Sequence, residues 1–319
     1  MIKVGDEVRI REWDDMVKQY GMYPNWDPWN SEVIAVKGTR VFLPEMKRFC
    51  GKTFVVTSIG QGFGDTVTGH DISNAYGITL GMVEKIPNKT LKESIVEWIK
   101  DYFEAQPHAK GAIIGISGGK DSAVAAALLC EAIGKDKVLG VLMPDGFQGD
   151  IAYSYLLVDT LDIKYEVVNI REAYLAITGA MPYVLSYQGS INILPRLRMT
   201  TLYALAAGHH YRVCGTGNKS ESAVGYFTKW GDGACDFNPL ADLTSAEVIQ
   251  LGKEMGLPHE IMSREPSDGL CGKTDEENLG FSYEDLDRHL SGEIFSQEIE
   301  DKIEYNLHKV SPIPVFRKG

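Results

Sequence analysis

Apolar and polar positions follow one rhythm before residue 88 and another after it. In the first stretch, short apolar runs alternate with polar residues and are broken by turn-forming residues. This pattern predicts strands over residues 7–11, 41–43, 53–59 and 66–68, with short helices over 13–20 and 44–49. Gly, Val, Thr and aromatic residues are frequent here, as expected of a small, barrel-like β domain over residues 1–88. The segment Ile86-Pro-Asn-Lys-Thr90 reads as a linker.

Beyond it, a helical apolar spacing over 91–103 leads into alternating strand and helix segments. Strands are predicted at 111–116, 138–143, 165–170 and 211–215. Helices are predicted at 122–133, 151–161, 194–207 and 244–255. The last is opened by the capping box Thr244-x-x-Glu247, and Gly256-Leu257-Pro258 stops it. Such alternation implies an α/β domain, a doubly wound parallel sheet over residues 89–319, whose ligands bind where strand order reverses.

Composition narrows the possible functions. Net charge is −12 over 319 residues, which argues against a nucleic-acid partner. No apolar run is long enough for a membrane span and no signal peptide opens the chain, so the expected location is cytoplasmic. The five cysteines, Cys50, Cys130, Cys214, Cys235 and Cys271, form no Cys-x-x-Cys pair. Free thiols are therefore expected rather than a zinc site or disulfides.

The chemistry concentrates after the first predicted strand of the larger domain. Ser117-Gly118-Gly119-Lys120-Asp121-Ser122 lies between strand and helix. Its glycines let the backbone approach an anion, and the helix start directs N–H groups and a positive dipole at it. Asp121 repels phosphate, so its natural role is to hold a bridging cation. The Walker pattern fails, because Ile114 and Asp121 stand where Gly and Ser/Thr are required. The Rossmann glycine spacing fails as well. A second polar, glycine-rich loop follows the 211–215 strand and contains Glu221. If the two strands are parallel neighbours, Asp121 and Glu221 open onto one crevice and suit Mg²⁺.

The six-residue loop resembles the Ser-Gly-Gly-x-Asp-Ser signature of the PP-loop ATP pyrophosphatases. The block Gly215-Thr-Gly-Asn-Lys-Ser-Glu221, followed by Gly225-Tyr-Phe-Thr-Lys229 and Gly231-Asp-Gly233, is similar to that of the NAD synthetase family. So are Asn192 to Met199, Glu265-Pro-Ser267, Thr274-Asp-Glu276, Leu279-Gly-Phe-Ser-Tyr283 and the pair His308-Lys309. Separately, Val4-Gly-Asp-Glu-Val-Arg-Ile10 resembles the opening of SH3-like modules.

The family resemblance implies an ammonia-dependent ligase that amidates deamido-NAD, with ATP as co-substrate cleaved to AMP and pyrophosphate. It implies that Gly115, Ile116, Ser117, Gly118, Gly119, Lys120, Asp121 and Ser122 hold the ATP phosphates, and that Thr216 and Ser267 also contact ATP. Asp121 and Glu221 are implied as Mg²⁺ ligands. Arg196, Lys229, Asp236, His308 and Lys309 are implied as contacts of deamido-NAD. A homodimer is implied too. Ser245 departs from the pattern, since the family has there a lysine that meets ATP phosphate. The first 88 residues are too short for a glutamine-hydrolysing domain, so ammonia arrives free or from another protein. Other PP-loop enzymes, tRNA-modifying or GMP-forming, and a non-catalytic dinucleotide-binding protein are the alternatives.

Overall fold

The computed structural model describes residues 2–23, 33–36, 40–42, 44–60, 66–69, 78–86, 89–264 and 274–317. The chain divides into two compact units, Met1–Thr90 and Leu91–Gly319.

In the first unit β1 (Glu7–Ile10) is followed by α1 (Trp13–Tyr20), β2 (Met22–Tyr23), β3 (Val33–Val36), β4 (Arg40–Phe42), β5 (Thr53–Gly60), β6 (Thr66–Gly69) and β7 (Val83–Lys85). The order β6-β5-β1-β7 forms one four-stranded antiparallel sheet, and β2-β3-β4 form a separate three-stranded one. Alternation in the sequence places Val8, Ile10, Phe54 and Val56 on a single face. There they bury against Met16, Met46 and Met82. The predicted helix over 44–49 is a 3₁₀ turn, Pro44–Phe49. Leu43, Pro87 and Asn88, parts of a predicted strand and of the predicted linker, lie outside the described residues.

The second unit opens with α2 (Leu91–Glu104), β8 (Gly111–Gly115), α3 (Lys120–Ile133), β9 (Val138–Leu142), α4 (Ile151–Leu161) and β10 (Lys164–Val167). It continues with α5 (Arg171–Gly179), α6 (Tyr187–Ile191), α7 (Ile193–His209), β11 (Tyr211–Val213) and α8 (Lys219–Ala223). It ends with α9 (Ser245–Glu254), α10 (His259–Met262), α11 (Asp275–Leu279), α12 (Tyr283–Leu290) and α13 (Gln297–Val310). The sheet is parallel throughout, in the order β10-β9-β8-β11.

Side-chain alternation divides the core between the two faces of this sheet. Ala112, Ile114 and Ile116 join α2, α3 and α9 on one face. Ile113, Leu139 and Val141 meet Leu202 and Ala206 of α7 on the other. Helix α3 is apolar on nearly all sides, with Leu128 and Leu129 fully buried, because it lies between the sheet and outer helices. Each such leucine contributes roughly 1.5–3 kcal/mol through burial.

Some elements start or end away from the predicted positions. Helix α3 starts two residues early, at Lys120, with Gly119 as its N-cap. Strand β11 ends at Val213, after which Cys214 makes an isolated bridge to Phe237. Strand β10 ends at Val167, although Val168 N–H and Ile170 N–H still donate to the carbonyls of Leu142 and Pro144 beyond it. Among the described residues four cysteines are free, and no helix is long and apolar enough to cross a membrane. Cys271 lies outside the described residues.

Candidate active site

The chain runs from β8 to β9 and β10 on one side, then returns to place β11 on the other side of β8. Strand order therefore reverses between β8 and β11, where loops leaving adjacent carboxyl ends diverge and form a crevice. The loop after β8 is the predicted phosphate loop, and the loop after β11 contains Thr216 and Glu221.

The phosphate loop is shaped by its own hydroxyls. Gly119 donates its N–H to Ser117 Oγ at 3.2 Å, and Ser122 Oγ donates to Gly119 O at 3.0 Å. Ser117 and Ser122 hydroxyls lie 3.1 Å apart. Ile116 anchors the loop from below: its N–H donates to Val141 O, and its carbonyl accepts from Ser154 Oγ. Ile116 therefore supports the loop and has no free main-chain donor for a phosphate. No side chain caps α3. Its first-turn amides, Lys120 to Ser122, have no intrahelical acceptor and are directed at the crevice.

Gly118 is required where it stands. Its φ is +77°, and an added Cβ would sit 2.8 Å from Tyr153 Cβ and 2.9 Å from Ser154 N. Gly119 has ordinary φ, and its Cβ would meet only Ser117 Oγ at 3.4 Å. Gly118→Ala is thus expected to lower stability by about 2 kcal/mol or more, from left-handed strain plus a clash with α4. Gly119→Ala should cost well under half of that. Urea unfolding of both variants checks the contrast, and equal losses would refute this account of the loop.

A buried polar cluster connects the two loops. Lys120, 6% exposed, pairs with Asp121 Oδ2 at 2.7 Å. Asp121 Oδ1 accepts from Asn218 Nδ2 at 2.9 Å. Asn218 also caps α8: its side chain accepts the Glu221 N–H, and Glu221 Oε2 accepts the Asn218 N–H at 3.0 Å. Desolvation, then the nearby Asp121 charge, pushes the Glu221 carboxyl up to about 8. Burial pulls the Lys120 ammonium down, but Asp121, Glu221 and Asp275 outweigh it and hold it above its ordinary value. Glu221 therefore sits in a buried pocket close to a second carboxylate, Asp121. Among the described residues no group of three or more His, Cys, Asp or Glu could hold a metal.

A second cluster gathers four of the five predicted dinucleotide contacts. Arg196 Nε, on α7, donates to Lys229 O at 3.3 Å, and Lys229 Nζ donates to His308 O at 2.5 Å. Lys309 Nζ donates to the carbonyls of Gly225 and Phe227 at 2.6 and 3.0 Å. Lys309 therefore also fastens α13 to the glycine-rich loop. Gly225 makes this docking possible, since its Cβ would lie 2.4 Å from Asn306 Cβ. Asp236, the fifth, stands apart at the end of β11. Its carboxylate accepts from Val213 N at 2.8 Å and from Tyr203 OH at 3.2 Å.

Ser245 lies at a helix start next to α8. It is 2% exposed, and its N–H donates to Ser220 Oγ at 3.0 Å. The Ser220 hydroxyl in turn donates to Asp287, which also accepts the Ala246 N–H. A capped helix start thus occupies the position where the resemblance implied a lysine. Thr216 is half-buried in the crevice loop, and Ser267 lies outside the described residues. Asn218 escaped the sequence reading, although Asn218-x-x-Glu221 is a capping pattern like the one noted at Thr244.

The sequence model of the NAD synthase family matches residues 91–317. An NH(3)-dependent NAD(+) synthetase of Carboxydothermus hydrogenoformans is 41% identical over 215 residues, covering 66% of this chain and 88% of the relative. The solved NMN synthetase of Francisella tularensis is 34% identical with a TM-score of 0.65, over 71% of this chain and 98% of that one. The NH3-dependent NAD synthetase of Campylobacter jejuni is 25% identical with a TM-score of 0.60, over 71% and 97%. With its two loops on adjacent parallel strands and this match across the whole second unit, the chain belongs to the NAD synthase family.

Proposed function

We propose that the chain is an ammonia-dependent NAD synthetase whose catalytic domain spans residues 89–319. The observation that carries this reading is the buried Asp121–Asn218–Glu221 link, which joins the phosphate loop to the glycine-rich loop at the reversal of strand order. The nicotinate carboxylate oxygen of deamido-NAD attacks the α-phosphorus of ATP, and pyrophosphate leaves. Ammonia then adds to the carbonyl carbon, AMP leaves, and a proton is released with NAD⁺. Asp121 and Glu221 would hold Mg²⁺, which neutralises the phosphate charge on which the displacement depends. Lys120 and the start of α3 receive the pyrophosphate, while Ser117 and Ser122 fix the loop. Arg196, Lys229, His308 and Lys309 set the dinucleotide side, Asp236 accepts from a ribose hydroxyl, and Thr216 and Ser267 complete the ATP site. Catalysis here is mainly positioning and charge neutralisation.

A homodimer fits the apolar surface that α5, α6 and their connection leave exposed, including Leu175, Met181, Tyr183, Val184 and Tyr187. The expected solution mass is that of two 35.3-kDa chains. The site of action is the cytoplasm. The SH3-like β domain, residues 1–88, serves packing or partner docking rather than a second chemistry.

The test is direct. Purified protein with Mg·ATP, deamido-NAD and ammonium is expected to yield NAD⁺ and AMP in equal amounts. No NAD⁺ with either ammonium or glutamine rejects the reading, and ADP in place of AMP rejects pyrophosphate cleavage. A second reading draws on the structural similarity to the Francisella protein, in which the product is NMN. Nicotinate mononucleotide in the same assay decides between them by kcat/KM.

A further inference from the structure

One wall of the phosphate loop is built by residues to which the reaction above gives no role. Asp275 and Tyr283 open α11 and α12 and are 5% and 6% exposed. The Tyr283 hydroxyl donates to Asp275 Oδ2 at 3.3 Å, and the Tyr283 N–H donates to Glu276 Oε1 at 2.9 Å. The ring packs with Val224, Leu279, Leu286 and Ile299. Its face lies 5.5 Å from the Lys120 ammonium, which pairs on its other side with Asp121.

Packing alone does not account for this arrangement. A phenylalanine or leucine would fill the same apolar cluster. A hydroxyl and a carboxylate that both leave water offset part of that cost by bonding each other, but filling the apolar cluster requires neither group. The purpose visible here is Lys120. A lysine on a four-carbon stem loses much rotamer freedom when fixed, and an aromatic face backed by a carboxylate is a platform for its ammonium.

We propose that Asp275 and Tyr283 are positioning residues that hold the Lys120 ammonium inside the phosphate loop, ready for the triphosphate of ATP. The proposal rests on the reading of this crevice as an ATP site. Tyr283 orients the ammonium through its ring, and Asp275 orients Tyr283 through its hydroxyl. Before ATP arrives Lys120 neutralises Asp121, so the loop meets its substrate with the cation already in place.

The full-length protein is tested with a non-hydrolysable ATP analogue and Mg²⁺ by calorimetry, and by steady-state kinetics. Tyr283→Leu is expected to weaken analogue binding and raise KM for ATP about tenfold, leaving KM for deamido-NAD within about twofold. Tyr283→Phe, which keeps the ring, should recover most of that loss. Asp275→Asn should fall between the two, and its melting curve separates it from an unfolded variant. In a Lys120→Met background, Tyr283→Leu should cost nothing further. Additive losses in the double variant, or equal rises in both KM values, overturn the positioning pair while leaving the ATP site in place. Failure of the unmutated protein to bind the analogue overturns the ATP site and the pair together.

Discussion

Asp121→Ala is expected to leave a folded protein that releases AMP at least about 10³-fold more slowly than the unmutated chain. Asp121 touches three parts of the site. Its carboxylate pairs with Lys120, accepts the Asn218 amide and lies near enough to Glu221 to raise its pKa. Removing one preorganised electrostatic partner costs roughly 10²–10³ in turnover. Here a proposed metal ligand and the lysine's counterion disappear together. The cost to stability is smaller, about 1–3 kcal/mol, because the orphaned groups are one ammonium and one amide at a helix start. Asp121→Asn serves as the control, since it keeps a similar shape and a hydrogen-bonding side chain but loses the charge. It should fold like the parent and remain nearly inactive. AMP release measured with saturating ammonium, beside thermal melts, separates the two effects. Near-normal turnover in either variant would remove Asp121 from the metal site.

The second large effect concerns pH. Without metal, the Glu221 carboxyl is pushed up to about 8 from an ordinary 4.5, by burial first and Asp121 second. Below pH 4.5 it is protonated in both folded and unfolded chains and contributes no slope. Between 4.5 and 8 the unfolded chain has released the proton and the folded chain retains it, so stability falls as pH rises. Above 8 both are ionised and the slope vanishes. The steepest loss for one such group is about 1.4 kcal/mol per pH unit. Metal-free protein is therefore expected to melt at progressively lower temperature from pH 5 to 8. Mg·ATP should stabilise it more at pH 8 than at pH 6, because the cation selects the ionised carboxylate. Glu221→Gln should flatten the metal-free curve, raise its pH 8 end and abolish most activity. Parallel melting curves for the two proteins would show that Glu221 does not carry this dependence.

Much of this was legible in the residues themselves. The phosphate loop could be read because glycines, hydroxyls and an acid sit between a strand pattern and a helix pattern. The pairing of Asp121 with Glu221 could be anticipated because it needs only that β8 and β11 be parallel neighbours, which they are. What joins them could not, because Asn218 acts through a contact spanning almost a hundred positions of sequence. The wall formed by Asp275 and Tyr283 was hidden for the same reason. Helices α12 and α13 also escaped the reading of periodicity. Both are short of apolar residues overall, and α13 buries only Ile299 and Asn306. At Ser245 the sequence revealed a departure but not its setting, which is a helix start tied to Ser220 and Asp287.

The docking of α13 on the glycine-rich loop bears on how the enzyme comes into being. Asn306 meets Gly225, the His308 carbonyl holds Lys229, and Lys309 holds the carbonyls of Gly225 and Phe227. The parallel sheet and the phosphate loop need nothing from these late residues. The contacts that fasten Gly225, Phe227 and Lys229 to α13 therefore form only once residues 306–309 have been made, so the glycine-rich loop is among the last parts of the chain to be held in place.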